Sequence, residues 1–200
     1  MKVLALDVST KTGWCVFEDG KLTRYGLIKN PKKIQEYGKY PWSYLNATEA
    51  MAQQLLILTE RETPDIIVVE ETNGSRARYT QKVLEFLHCC LLARLATSFK
   101  GEVYYINSSE WRKVVGMVMT NEDKKANRKL NVEKNIAEKA GKKLDKEKLG
   151  IKGKITKKHL SVRLVNAMYG LDFRIKNNDT ADAICLGTAY IKGCEVCDGK

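Results

Sequence analysis

No apolar run in this 200-residue chain approaches the roughly 18 residues that a membrane-spanning helix needs. The first ten residues, MKVLALDVST, reach a charged Asp too soon for a secretory leader, so we expect an intracellular protein. Cysteine is sparse. Six in 200 residues are too few for a secreted disulfide scaffold, and Cys15, Cys89, Cys90 and Cys185 fall in apolar segments and read as core thiols. Cys194 and Cys197 form a CxxC with no second pair at suitable spacing, which is half a zinc site, so we read them as thiols of a short tail over 193–200. No internal repeat is present, which argues for one domain over 1–200. Acids are outnumbered: 24 Asp and Glu face 35 Lys and Arg, a net charge of +11. That excess points to a polyanionic partner, nucleic acid before an anionic membrane surface.

The hydrophobic fraction of 44% is enough for a real core. KVLALDVS is a nearly continuous apolar run ending in Asp7, the pattern of a buried central strand. GWCVFE and LTRYGLI follow across Asp-Gly, a hairpin signal. Residues 43–62 have helical spacing, IIVVEE is a short apolar strand carrying Glu70, and a second helix runs from about Tyr79 to Ser98 with a broad Leu stripe. EVYYINS is a fifth strand. Between Asn121 and Lys158 lie 14 Lys or Arg and six acids, which is +8 of the total. This lysine-rich insertion, at about 117–155, reads as a solvated helical excursion or as an arm that grips phosphates. LSVRLVNAMYG resumes the core, and a last helix begins near Asp179. The order predicts an α/β fold: a mixed five-stranded sheet, three antiparallel strands then parallel ones, covered by helices.

Asp7 and Glu70 both stand at strand ends, where ligands collect in such sheets. Asp179 and Asp182, three apart, share one helix face and repel unless a cation lies near. Buried carboxylates are costly unless paired, hydrogen-bonded or metal-bound. An all-oxygen set suits Mg²⁺, with Mn²⁺ as a substitute, and two such ions serve phosphodiester hydrolysis. The bland alternative is that strand-end acids are loop residues and that Asp179 is a helix cap.

The stretches LALDVSTKTGW, PDIIVVEE, with Glu70 six residues after Pro64, and NDTADA resemble the motifs of the RuvC-type Holliday-junction resolvases. These belong to the RNase H-like nuclease superfamily, and the likeness is to their shorter, divergent viral and phage-like forms. It covers most of 1–116 and 155–192. It implies a dimeric, Mg²⁺-dependent endonuclease that makes paired nicks in four-way DNA junctions, in the cytoplasm of a bacterium or of a virus- or phage-infected cell. Carried across, Asp7, Glu70, Asp179 and Asp182 take the four acidic positions. Lys157, with Lys158 close behind, takes the basic one that stabilises the scissile phosphate. Lys11, Arg76, Arg78, Lys154 and Lys158 are candidate DNA contacts, and the face of the second helix that does not pack on the sheet is the candidate dimer contact. Trp14 and Trp111 read as core. The pattern departs in one respect: family members often carry an aromatic wedge after the catalytic Glu, and TNGSRAR offers none before Tyr79.

Three other readings stay open. One is a broader nuclease for flaps, forks or three-way branches, and another is a non-catalytic branched-DNA binder. The third rests on DVSTKTG, which is also similar to the first phosphate loop of actin-like kinases and chaperone ATPases. Those proteins need a second domain that 200 residues without a repeat cannot supply.

Overall fold

The structure is a computed structural model that describes residues 1–72, 78–144 and 153–197, the last four by backbone only. Arg76 and the side chains of Cys194 and Cys197 therefore lie outside the described residues. Strands β1 (Lys2–Asp7), β2 (Lys11–Glu18) and β3 (Lys21–Lys29) form an antiparallel meander. The β2–β3 turn is the Asp-Gly of the sequence: Asp19 and Gly20 both take positive φ, 49° and 75°, as a twist-matched hairpin requires. Helix α1 (Trp42–Glu62) returns the chain to β4 (Ile66–Glu70), and α2 (Arg78–Ser98) returns it to β5 (Glu102–Ile106). Both crossovers give parallel pairing, and the sheet order is β3-β2-β1-β4-β5. Helices α3 (Ser108–Val114), α4 (Asn121–Lys139), α5 (Lys157–Tyr169) and α6 (Asn178–Cys197) complete the chain.

Central β1 is buried on both sides because each face has its own helical layer. Leu4 and Leu6 pack with Met51 and Leu55 of α1 and Leu87 and Leu91 of α2. Val3 and Ala5 pack on the other face with Val165 of α5 and Ile184 and Leu186 of α6. Two glycines let α6 lie this close. A Cβ at Gly13 would stand 1.9 Å from the Asp179 carbonyl oxygen, and one at Gly187 would stand 2.7 Å from the Phe17 ring.

The lysine-rich segment is a helix over 121–139. Thr120 and Asp123 form a reciprocal capping box at its start. Asp123, Asn127 and Leu130, at i, i+4 and i+7, make a buried stripe. Arg163 of α5 donates two hydrogen bonds to the Asp123 carboxylate, at 2.9 and 3.1 Å. Asn127 bonds the Ile155 backbone at both N–H and C=O. Both contacts hold α4 against the start of α5.

Two details depart from the sequence reading. Helix α3 was not foreseen: Asn107 ends the β5 run by capping it, accepting from the Ser109 N–H at 2.9 Å. Cys89 is exposed, unlike the other three described thiols, because with Leu92 it sits on the face of α2 turned away from α1 and the sheet. Among the described residues no helix is long and apolar enough to cross a membrane.

A candidate carboxylate centre at the sheet edge

The parallel register pairs Leu6 with Val69, so Asp7 and Glu70, one step further, end their strands level with each other. Side chains alternate along a strand, and both acids fall on the α6 side with Val3, Ala5 and Val68. The first turn of α6, seated against Gly13, brings Asp179 and Asp182 over the same edge. Asp179 is inside that first turn, after Asn178, so it is not the helix cap.

The acids feel one another. Burial raises the Asp7 pKa well above the usual carboxylate range, and Glu70, Asp182 and Asp179 add to the rise. Burial raises Glu70 as well, against the pull of Arg112. Asp182 is pushed up to about 6, again chiefly by burial. Three raised carboxylates with Asp179 beside them suit an oxygen-binding divalent cation, and no His or Cys takes part that would favour zinc. As they stand, however, no three His, Cys, Asp or Glu side chains among the described residues converge tightly enough to hold an ion. Their oxygens are turned to protein cations and donors instead. Lys11 Nζ lies 3.7 Å from Asp179 Oδ2, and Lys158 Nζ lies 4.0 Å from Asp179 Oδ1. Arg112 lies 3.7 Å from Glu70 Oε1, and Trp111 Nε1 donates to Glu70 Oε2 at 3.1 Å.

The candidate bases sort by position. Lys157 and Lys158 open α5 facing the centre: Lys157 pulls the Glu70 pKa down, and Lys158 does the same for Asp7 and Asp182. Lys11 is held in a tight turn in which Thr12 Oγ1 accepts from the Ser9 N–H and Ser9 Oγ accepts from the Lys11 N–H. Lys154 is exposed, and Arg78 begins α2; neither makes an ion pair among the described residues. Glu71 leaves the cluster, accepting from Asn107 Nδ2 at 3.1 Å.

Three neighbours of the candidate centre escaped the sequence reading. Trp111 reads as core and is fully buried, yet its N–H is spent on Glu70. Arg112 stacks on that indole, 4.6 Å from the ring, and reaches the same carboxylate. Ser161 lies beside Asp182 and lowers its pKa, while its hydroxyl donates to the Lys158 carbonyl at 3.2 Å. A legible signal existed only for Ser161, a hydroxyl inside the apolar stripe of α5, since a buried hydroxyl needs a partner.

No family model matches the sequence, and no curated protein is similar enough to it to count as a match. Solved structures are similar in fold. A Thermus thermophilus RuvC bound to a Holliday junction substrate matches with a TM-score of 0.62 at 12% identity, over 98% of this chain and 96% of that one. RuvC of Thermus thermophilus in a second structure matches at 0.60 and 13%, over 98% and 96%. The yeast mitochondrial Holliday junction resolvase matches at 0.52 and 13%, over 95% of this chain and 77% of that one. At such identities the likeness carries architecture alone, and with the strand order and register above it establishes that this chain has the fold of the RuvC-type Holliday junction resolvases.

Proposed function

We propose that the chain is a metal-dependent, structure-selective DNA endonuclease that resolves four-way junctions by paired phosphodiester hydrolysis. The observation that carries this reading is the gathering of Asp7, Glu70, Asp179 and Asp182 at one sheet edge, faced by Lys11, Lys157 and Lys158. A surface meant only to grip phosphates gains nothing from four acids, which argues against a non-catalytic binder.

These four carboxylates would hold Mg²⁺ or Mn²⁺, two ions per site, which when bound supply an activated water and a counter-charge for the leaving oxygen. The chain's own residues do the rest. Trp111 and Arg112 fix the Glu70 carboxylate, and Ser161 lies beside Asp182. Lys157 and Lys158 place positive charge where the scissile phosphate gains negative charge. Lys11, Arg76, Arg78 and Lys154 would contact the flanking backbone. A homodimer would set two such centres on opposite strands, with Cys89 and Leu92 of α2 at the contact.

The test is cleavage of four-way, three-way, flap and linear duplex DNA with Mg²⁺. Symmetric paired nicks confined to four-way junctions support the reading; junction binding without nicks under Mg²⁺ or Mn²⁺ overturns it. A second reading, a broader branch nuclease, is favoured by the lack of an aromatic between Glu70 and Tyr79, and would show as flap or three-way cleavage at comparable rates.

A further inference from the structure

Strand β3 runs parallel to β1, so residues 30–41 leave the sheet at the edge that carries Asp7. Helices α1 and α2 begin at that same edge, and four aromatic rings meet where their N-terminal halves face each other. Tyr44 is the hub: its centroid lies 5.1 Å from Tyr40 and 5.2 Å from Tyr79, both edge-on, and 6.3 Å from Phe86. The outer rings are open to solvent. Tyr40 is 61% exposed, Tyr79 46% and neighbouring Trp42 64%.

Cations surround these rings. Lys82 Nζ stands 5.6 Å from the Tyr40 centroid, and Lys32, Lys33 and Lys39 are exposed alongside. The nearby acid Glu36 is engaged, accepting from the Lys33 N–H at 2.6 Å. A cavity of about 260 Å³ lined by Lys32, Lys33 and Tyr79 extends to Thr10, next to Lys11. The exposed large apolar side chains of residues 30–46 and of the first turn of α2 are all aromatic. Exposed rings interleaved with lysines are the combination that takes up unpaired bases, since every base has a stacking face and its phosphates need cations.

We infer that Tyr40 and Tyr79 form a stacking platform for unpaired DNA bases, separate from the carboxylate centre, with Lys32, Lys33, Lys39 and Lys82 taking the phosphates. The inference rests on the reading of DNA as substrate and adds to it how a branch point is told from plain duplex: bases freed at the branch have somewhere to go. Tyr44, backed by Phe86, packs edge-on against Tyr40 and Tyr79, so little ordering remains to be done when a base arrives.

Tryptophan emission tests it. Of the three Trp, Trp111 is buried and Trp14 lies under Arg61, so exposed Trp42, two residues from Tyr40, reports DNA arriving beside the platform. Full-length protein is titrated with oligo(dT) and with blunt duplex in EDTA. Oligo(dT) is expected to quench emission, and Trp42→Phe is expected to abolish the quench while keeping affinity. Tyr40→Ala and Tyr79→Ala should each weaken oligo(dT) binding by about 5- to 150-fold and leave duplex binding unchanged. No quench in the wild type, alanine variants that bind like wild type, or a Tyr40→Ala variant that turns a dimer into a monomer would each overturn the platform. The cleavage assay is read separately. An inactive protein that shows the quench keeps the platform and loses the nuclease reading; an active one without it does the reverse.

Discussion

Trp111 donates its indole N–H to Glu70 at 3.1 Å from a position with no exposed surface. One side chain thus fills the core under α3 and sets the direction of a candidate catalytic carboxylate. A hydrogen bond to a charged acceptor is worth about 1.5–3 kcal/mol, and misplacing a reacting group is costly. Trp111→Phe, which keeps most of the packing, is expected to slow single-turnover cleavage by about tenfold or more with junction affinity unchanged. A rate like wild type would reduce Trp111 to core filling.

Asp7→Asn should separate chemistry from folding. Asp7 is held protonation-prone by burial and by three neighbouring acids, so neutralising it removes a repulsion. We expect cleavage to vanish, junction binding to persist and the melting temperature in EDTA to rise. A variant that melts below wild type in EDTA contradicts the repulsion.

The pH dependence has a definite sign. Asp182 has a pKa of about 6 in the folded chain against an ordinary 3.8, so the folded state holds its proton more tightly. Its contribution to stability is fully present below about pH 4 and is lost as pH rises through about 6, by up to about 3 kcal/mol. Asp182→Asn should therefore melt like wild type at pH 4 and above it at pH 7 in EDTA. Mg²⁺ should close that gap at pH 7 by stabilising only the wild type. Melting curves across this range would show it; a difference that does not change with pH counts against the assignment.

Gly13→Ala tests how the two halves of the centre are joined. Its Cβ would overlap the Asp179 carbonyl, so α6 must shift. Overpacking costs of about 1–3 kcal/mol are usual, and the loss of cleavage should exceed what that destabilisation explains. Full activity at a temperature where the variant is folded would mean that α6 has room to spare.

Helix α4 carries Lys124, Lys125, Arg128 and Lys129, all exposed, away from its docked stripe. Each phosphate contact contributes about −0.9 to the slope of log affinity against log salt. Replacing all four by Gln should flatten the slope for junction DNA by about 2 to 4, with melting temperature unchanged. An unchanged slope would leave α4 a solvated face.

Much of this was legible in the chain because it followed from periodicity. Apolar β1, the Asp-Gly hairpin and the paired helix–strand crossovers fix the sheet order, and the strand ends then bring Asp7 and Glu70 level. What stayed hidden depends on contacts across the sequence. Nothing local separates a core Trp111 from one that bonds Glu70, and nothing marks Cys89 as the thiol turned outward. The lysine-rich stretch left helix and arm both open; over 121–139 Asp123 and Asn127 decide for a docked helix, through partners 40 and 28 residues away. The aromatic cluster was invisible for the same reason, since Tyr40 and Tyr44 meet Tyr79 only after α1 and α2 pack.

The seating of α6 on Gly13 also orders events during synthesis. Asp7 and Glu70 leave the ribosome early and can pair as soon as β4 finds β1. Asp179 and Asp182 arrive more than 100 residues later, and the sheet edge stays half-built until then. The carboxylate centre therefore comes into being only when the last helix closes over the strands that open the chain.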